Sequence, residues 1–425
     1  MRTLRFGSTG PAVELLQLGL NRAGFGPLEL DGVFGPATRG AVSRFQTVNR
    51  LHPDGIAGPA TQQAMLPWYT GYVSVHVRAG DTIWSLARLY GSSTEAVLLA
   101  NPGVRPEELQ IGAALIVPLP FPVVPDSIRY SAALVGYCVQ GLGARYPFLK
   151  TASVGKSVLG KPLWSLRLGR GENRVLYHAE HHANEWITTP LLLRFAEELA
   201  AAAAAGEEIA GIPAGEILDY AELCLVPAVN PDGMDLVTGE LTGGEPFRQA
   251  RAISERYPRY PFPAGWKANL RGVDLNLQYP AGWEQARENK AALGITSPAP
   301  ADYVGPTPLS EPESKAMAAL TERYDPALTL SLHSQGEVIY WKFQGYAPEE
   351  AQKIGELLAE LTGYSLADTP YAAGFAGYKD WFLQNFRRPG YTIEAGRGVN
   401  PLPIGDLPGI YEKMRAALVM AALVT

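Results

Sequence analysis

The stretch His181-His182-Ala183-Asn184-Glu185-Trp186 sits between an apolar run, Arg174-Val175-Leu176-Tyr177-His178-Ala179-Glu180, and a segment in which Thr189-Pro190 suits a first helical turn. The order is strand, polar turn, helix. A histidine and a glutamate three residues apart, His182 and Glu185, can reach one metal ion from a tight turn. Two later apolar runs also end in polar residues. Ala327-Leu328-Thr329-Leu330-Ser331-Leu332 ends at His333, and Tyr391-Thr392-Ile393 ends at Glu394. A further run, Leu223 to Val229, ends in the turn Asn230-Pro231-Asp232-Gly233. Open α/β sheets gather ligands beyond the carboxyl ends of their strands, so these segments are expected to share one crevice. Two histidines and one carboxylate make an open zinc site, and the remaining glutamate, Glu394, suits a general base. At this point His181 is an alternative ligand to His182. Asp232 is a turn residue or an outer partner of a ligand histidine.

From about Pro125 to Thr425 the sequence resembles the zinc metallocarboxypeptidase family. The resemblance rests on the HxxE turn, the isolated His333, Glu394, the Asn-Pro-Asp-Gly turn and Gly272-Val273-Asp274-Leu275-Asn276. It implies an α/β domain with a mixed central sheet, zinc held by His182, Glu185 and His333, and Glu394 as base. It also implies that Tyr371 covers bound substrate and that Lys267 polarises the scissile carbonyl, with Arg271 a rival for that role. Two departures redirect the substrate. Where members that clip C-terminal residues carry Asn-Arg, this chain has Asn276-Leu277, and leucine cannot grip a terminal carboxylate. Fifteen residues before Glu394, at the family's side-chain pocket position, stands Lys379, which favours an anionic group. Asn276, Lys379 and Arg271 are therefore the candidate substrate-binding residues.

The beginning of the chain is built differently. Asp31-Gly32-Val33-Phe34-Gly35-Pro36-Ala37-Thr38 recurs twenty-three residues later as Asp54-Gly55-Ile56-Ala57-Gly58-Pro59-Ala60-Thr61. Each copy predicts a glycine turn whose threonine caps a helix. Ala41, Phe45 and Val48 predict one apolar helix face, and Val13, Leu16 and Leu20 another. Residues 1–68 thus resemble a three-helix peptidoglycan-binding domain. In residues 73–119, His76 to Gly91 reads as strand, turn and helix, with Asp81 or Thr82 as N-cap. A second helix closes at Asn101-Pro102, and a strand returns through Leu115-Ile116-Val117. This βααβ pattern resembles the LysM module, which implies glycan binding. Phe121 to Asp126 is a stiff proline-rich joint, and residues 125–425 form the third domain.

At 425 residues and 47% hydrophobic, the chain is long enough for two small modules and one large core. A net charge of −6 with no basic patch argues against nucleic acid, and no stretch is long and apolar enough for a membrane span. Cys138 and Cys224 are expected to be buried thiols. Met1 to Gly7 shows no apolar h-region. The expected setting is therefore the cell wall, or wall fragments within the cell or during sporulation. The HANEW turn and the non-arginine after GVDLN resemble the branch that cuts γ-D-glutamyl–meso-diaminopimelate bonds, with glycan strands and stem peptides as partners. Another stem endopeptidase or carboxypeptidase, or an N-acetylmuramoyl-L-alanine amidase, is the alternative, ahead of an inactive wall-binding scaffold.

Overall fold

The computed structural model describes residues 2–424. They divide into two compact units. One runs to Arg129 and includes Gly136–Lys150; the other comprises Tyr130–Val135 and the chain from Thr151 onward.

In the first unit, helices Pro11–Arg22, Pro36–Val48 and Pro59–Thr70 each begin with proline at the first turn, where its missing N–H costs nothing. Val13, Leu16, Leu20, Ala41 and Phe45 are buried as expected, but Val48 is 70% exposed and Val42 takes its place in the core. The threonines do not cap. Gly35 and Gly58 are the N-caps, without side-chain cap bonds. Thr38 instead accepts from the buried Gln17 amide at 3.2 Å, and Thr61 from Gln46 at 3.0 Å. The same amides donate to Asp31 (2.7 Å) and Asp54 (2.9 Å), while their carbonyls accept from Gly32 and Gly55. Each repeated turn is therefore folded around one glutamine of the preceding helix. Next come antiparallel strands β1 (Tyr72–His76) and β2 (Ala114–Pro118), with helices Ile83–Leu89 and Thr94–Ala100 between them. Thr82 caps the first of these helices, in a reciprocal box with Ser85.

The second unit is built on an eight-stranded sheet. Its strands are β3 (Lys150–Lys156), β4 (Pro162–Gly169), β5 (Asn173–Ala179), β8 (Ala221–Val226), β9 (Leu328–His333), β10 (Val338–Tyr340), β11 (Ser365–Ala367) and β12 (Gly390–Glu394). The small pair β6 (Glu208–Ile209) and β7 (Ile212–Pro213) lies apart from it. The order is β11-β10-β12-β9-β5-β8-β4-β3, and the central four, β12, β9, β5 and β8, run parallel. Their apolar runs are buried on both faces. Neighbours in β5 point to opposite sides. Leu176 joins a core with Tyr378, Trp381 and Phe382, whereas Tyr177 lies beside Phe195, rings tilted at 35°, and donates to the Leu418 carbonyl. The parallel strands set β5, β9 and β12 to end at the same edge. The mixed sheet agrees with the α/β fold expected from the sequence. Both cysteines are free and buried, and no described helix is long and apolar enough to cross a membrane.

Candidate metal centre and active-site cleft

Beyond β5 the chain turns through Glu180, a non-glycine residue at φ 60. Its buried carboxylate accepts from the Asn230 N–H at 3.0 Å, and burial pushes its pKa well up. The same Asn230 caps Gly233 at the head of helix Pro231–Thr238, which packs on the turn Ala183–Glu185. The turn delivers His182 and Glu185. The end of β9 delivers His333, whose neighbour in register across to β12 is Glu394.

His182, Glu185 and His333 come together. Their Nδ1 atoms lie 3.2 Å apart, with Glu185 Oε1 3.0 Å from the first and Oε2 2.8 Å from the second. Zinc bonds of about 2.0–2.1 Å at tetrahedral angles separate ligand atoms by roughly 3.3 Å, so these side chains fit one ion. Electrostatics favours a cation there. Burial alone would lower the His182 pKa, but Glu185 and Asp274 outweigh it and raise it to about 10. Asp274 Oδ1 meets His182 Nε2 at 3.1 Å, fixing the ring so that Nδ1 faces the cluster. Burial would raise the Asp274 pKa; His182 outweighs it and holds the carboxyl well below the usual range. His181 does not join. Its Nε2 pairs with the Tyr279 hydroxyl at 2.9 Å, and His178 bonds Ser331 at 3.0 Å.

His182 faces a cleft of about 340 Å³, lined also by Lys267, Asp274, Asp302, Asn276, Lys379 and Glu394. Burial and the nearby Glu185 push the Glu394 carboxyl up, toward the proton-accepting range. Lys267, its side chain 37% exposed, donates to Glu185 Oε1 at 3.0 Å. Lys379 is not a solvated lysine. It is buried, paired with Asp380 at 2.6 Å and bonded to the Lys342 carbonyl at 2.8 Å. Asn276 accepts from the Tyr378 N–H at 3.0 Å.

Two expected residues do not face the cleft. Arg271 is drawn by Glu311, 3.4 Å away, into a separate depression with Leu159 and Leu270. Tyr371 is 63% exposed, its ring edge-on to Phe375, although its neighbour Pro370 does line the cleft. Sequence reasoning missed Asp274 as the partner of His182; it offered Asp232 as a turn residue or as an outer partner of a histidine. Asp232 is instead held by Lys161 (3.0 Å) and the Leu159 N–H (2.8 Å). The signal for Asp274 was its place in GVDLN, the segment that also supplies Asn276.

A two-histidine, one-carboxylate centre with a glutamate beside it, at the carboxyl edge of a mixed sheet, defines a zinc hydrolase. Residues 137–417 match the zinc carboxypeptidase family, and the chain belongs to it. Residues 9–65 match a peptidoglycan binding domain and 75–118 a LysM domain, so this zinc metallopeptidase carries two modules of the wall-binding kind. It is 39% identical to gamma-D-glutamyl-L-diamino acid endopeptidase 1 of Lysinibacillus sphaericus, over 80% of this chain and 97% of that one. It is 40% identical to the uncharacterized protein YqgT of Bacillus subtilis (strain 168), over 63% and 70%. Among solved structures, carboxypeptidase A from Helicoverpa armigera shares the fold at 20% identity, with a TM-score of 0.54 over 81% of this chain and 82% of that one.

Proposed function

We propose that the chain hydrolyses the γ-D-glutamyl–meso-diaminopimelate amide of peptidoglycan stem peptides, with its N-terminal modules holding it to glycan strands at the wall. One observation carries the choice of an internal amide over a C-terminal one. No arginine lines the cleft among the described residues, and Leu277 stands where a terminal carboxylate would need one. The name of the Lysinibacillus relative points to the same bond.

His182, Glu185 and His333 would hold the zinc, which when bound would supply a Lewis acid for the carbonyl and lower the pKa of a water. Glu394 takes the proton of the attacking water and passes it to the departing amine. Lys267 stands beside the ligand Glu185, where a positive charge meets negative charge growing on the carbonyl oxygen. Lys379 and Asp380 receive the far end of diaminopimelate. An ammonium has three donors and Lys379 uses two, to Asp380 and the Lys342 carbonyl. The pair thus matches a group bearing both a carboxylate and an ammonium, which is what that end of diaminopimelate carries. Mass spectrometry of products from defined muropeptides tests the bond: release of diaminopimelate, with L-alanyl-D-glutamate left on the muramoyl sugar, is expected, and cleavage at muramoyl-L-alanine would indicate an amidase. Lys379→Met should weaken cleavage before diaminopimelate roughly ten- to a hundredfold more than before lysine, which lacks the distal carboxylate. Equal losses would remove Lys379 from this role.

A further inference from the structure

The cleft holds a second lysine–aspartate pair. Lys290, in the last turn of helix Trp283–Ala292, donates to Asp302 Oδ1 at 2.6 Å. The Tyr260 hydroxyl donates to Asp302 Oδ2 at 2.9 Å, and all three residues line the cleft. Asp302 is held at φ 69, a left-handed backbone uncommon outside glycine. Its N–H donates to Asp274 Oδ2 at 3.1 Å, and the other oxygen of Asp274 meets the ligand His182. The adjoining Pro300 carbonyl accepts from the N–H groups of Lys267 and Ala268, at 2.8 and 2.9 Å. This group is therefore linked through Asp274 to His182 and, through Pro300, to the backbone of Lys267. Lys379 and Asp380 stand on a different segment, fastened to Asn276 through the Tyr378 N–H.

A γ-linked glutamyl residue differs from an ordinary peptide residue in one respect that a binding site can read. It keeps a free α-carboxylate on the amino side of the amide to be cut. Of its three donors Lys290 gives one to Asp302. The aspartate, itself clamped by Tyr260 and Asp274, fixes the ammonium in advance, so little freedom is lost on binding. We infer that Lys290, positioned by Asp302 and Tyr260, binds the α-carboxylate of the glutamyl residue. This rests on the γ-glutamyl substrate and on Lys379 facing the diamino acid.

The test uses the full zinc-loaded chain and two peptides that differ in one group: γ-D-glutamyl-diaminopimelate with a free α-carboxylate, and its D-isoglutaminyl counterpart with an α-carboxamide. The wild type should favour the carboxylate roughly ten- to a hundredfold in kcat/KM, the scale of a charge-assisted hydrogen bond. Lys290→Met should bring that ratio toward one, while Lys290→Arg, which keeps the charge, should retain most of it. Zinc content and circular dichroism report that both variants are folded. A wild type that cuts both peptides equally, or a methionine variant that keeps the preference, overturns the inference alone. A wild type that cuts neither overturns the γ-glutamyl assignment, and this inference with it.

Discussion

Glu394 and Glu185 are two carboxylates of one centre whose surroundings push them apart. Burial would raise Glu185, but Lys267 and the two histidines outweigh it and hold it ionised, whereas burial and Glu185 itself raise Glu394. The first is suited to a ligand and the second to a base that returns its proton to the leaving amine. Glu394→Gln should therefore keep zinc and substrate binding while losing on the order of 10²-fold or more in turnover. Equal zinc content with undiminished kcat would end the assignment. A third carboxylate, Glu313, lies outside the cleft and bears on stability. Burial pushes it up to about 7 from the ordinary 4.5, although it accepts from the Val158 N–H at 2.9 Å. A carboxyl raised by folding adds stability that is full below about 4.5 and lost as pH climbs through about 7. Between those values the wild type should lose up to on the order of 3 kcal/mol relative to Glu313→Gln, and the difference should level off above pH 7. Urea titrations across the range read the slope, which a constant offset from the amide leaves untouched. Parallel curves would assign the buried proton elsewhere.

The metal turn depends on the helix beneath it. A Cβ on Gly233 would lie 2.6 Å from the Ala183 Cβ and 2.7 Å from the Asn230 side chain. Helix Pro231–Thr238 can thus approach the Ala183–Glu185 turn closely only with glycine at that point. Gly233→Ala should leave a folded protein whose zinc affinity drops about tenfold or more, since displacing the support of a ligand costs as much as disturbing its outer partners. Competition with a chelator would measure it, and unchanged affinity would show that the turn holds itself. This dependence marks how far the sequence was legible. The strand ends pointed to His182, Glu185, His333 and Glu394, which the fold brings together, because a polar residue at the edge of a parallel sheet follows its own apolar run. Asp274 could not be read that way, since it reaches His182 from an irregular segment fastened by bonds to Tyr303 and Asp302. Arg271 looked suitable by type and position, yet a single distant carboxylate, Glu311, turns it away. Thr38 and Thr61 had the composition of caps, but a buried glutamine amide competes for a hydroxyl as well as a helix N–H does. Local pattern predicted the elements and the residues that cluster at the sheet edge. Contacts far apart in the chain decided the rest.

At the scale of the molecule, the joint at Phe121–Asp126 is a boundary by composition, but packing continues past it. The later part of helix Ala132–Arg145 belongs to the first unit. A Cβ on Gly141 would meet the Thr70 carbonyl at 2.0 Å, and the Tyr137 ring lies 5.5 Å from that of Tyr69. Arg145 donates to the carbonyls of Gly71 and Leu119, at 2.8 and 2.7 Å. A fragment beginning at Pro125 keeps every residue that lines the cleft, so it should cut a small soluble stem tripeptide with a kcat/KM close to that of the full chain at 25 °C. It should sediment poorly with insoluble peptidoglycan, because anchoring raises local concentration without altering the chemistry. The same cut strips Cys138, Val139 and Leu142, all buried, of their partners in the first unit. Losing that cover should lower the Tm by several degrees, since each buried aliphatic side chain uncovered costs about 1.5–3 kcal/mol. An unchanged Tm in the Pro125 fragment would mean that the helix contributes nothing there and that the proline-rich joint is the true boundary. A folded fragment that no longer cuts the soluble tripeptide would show that the first unit supports the cleft itself.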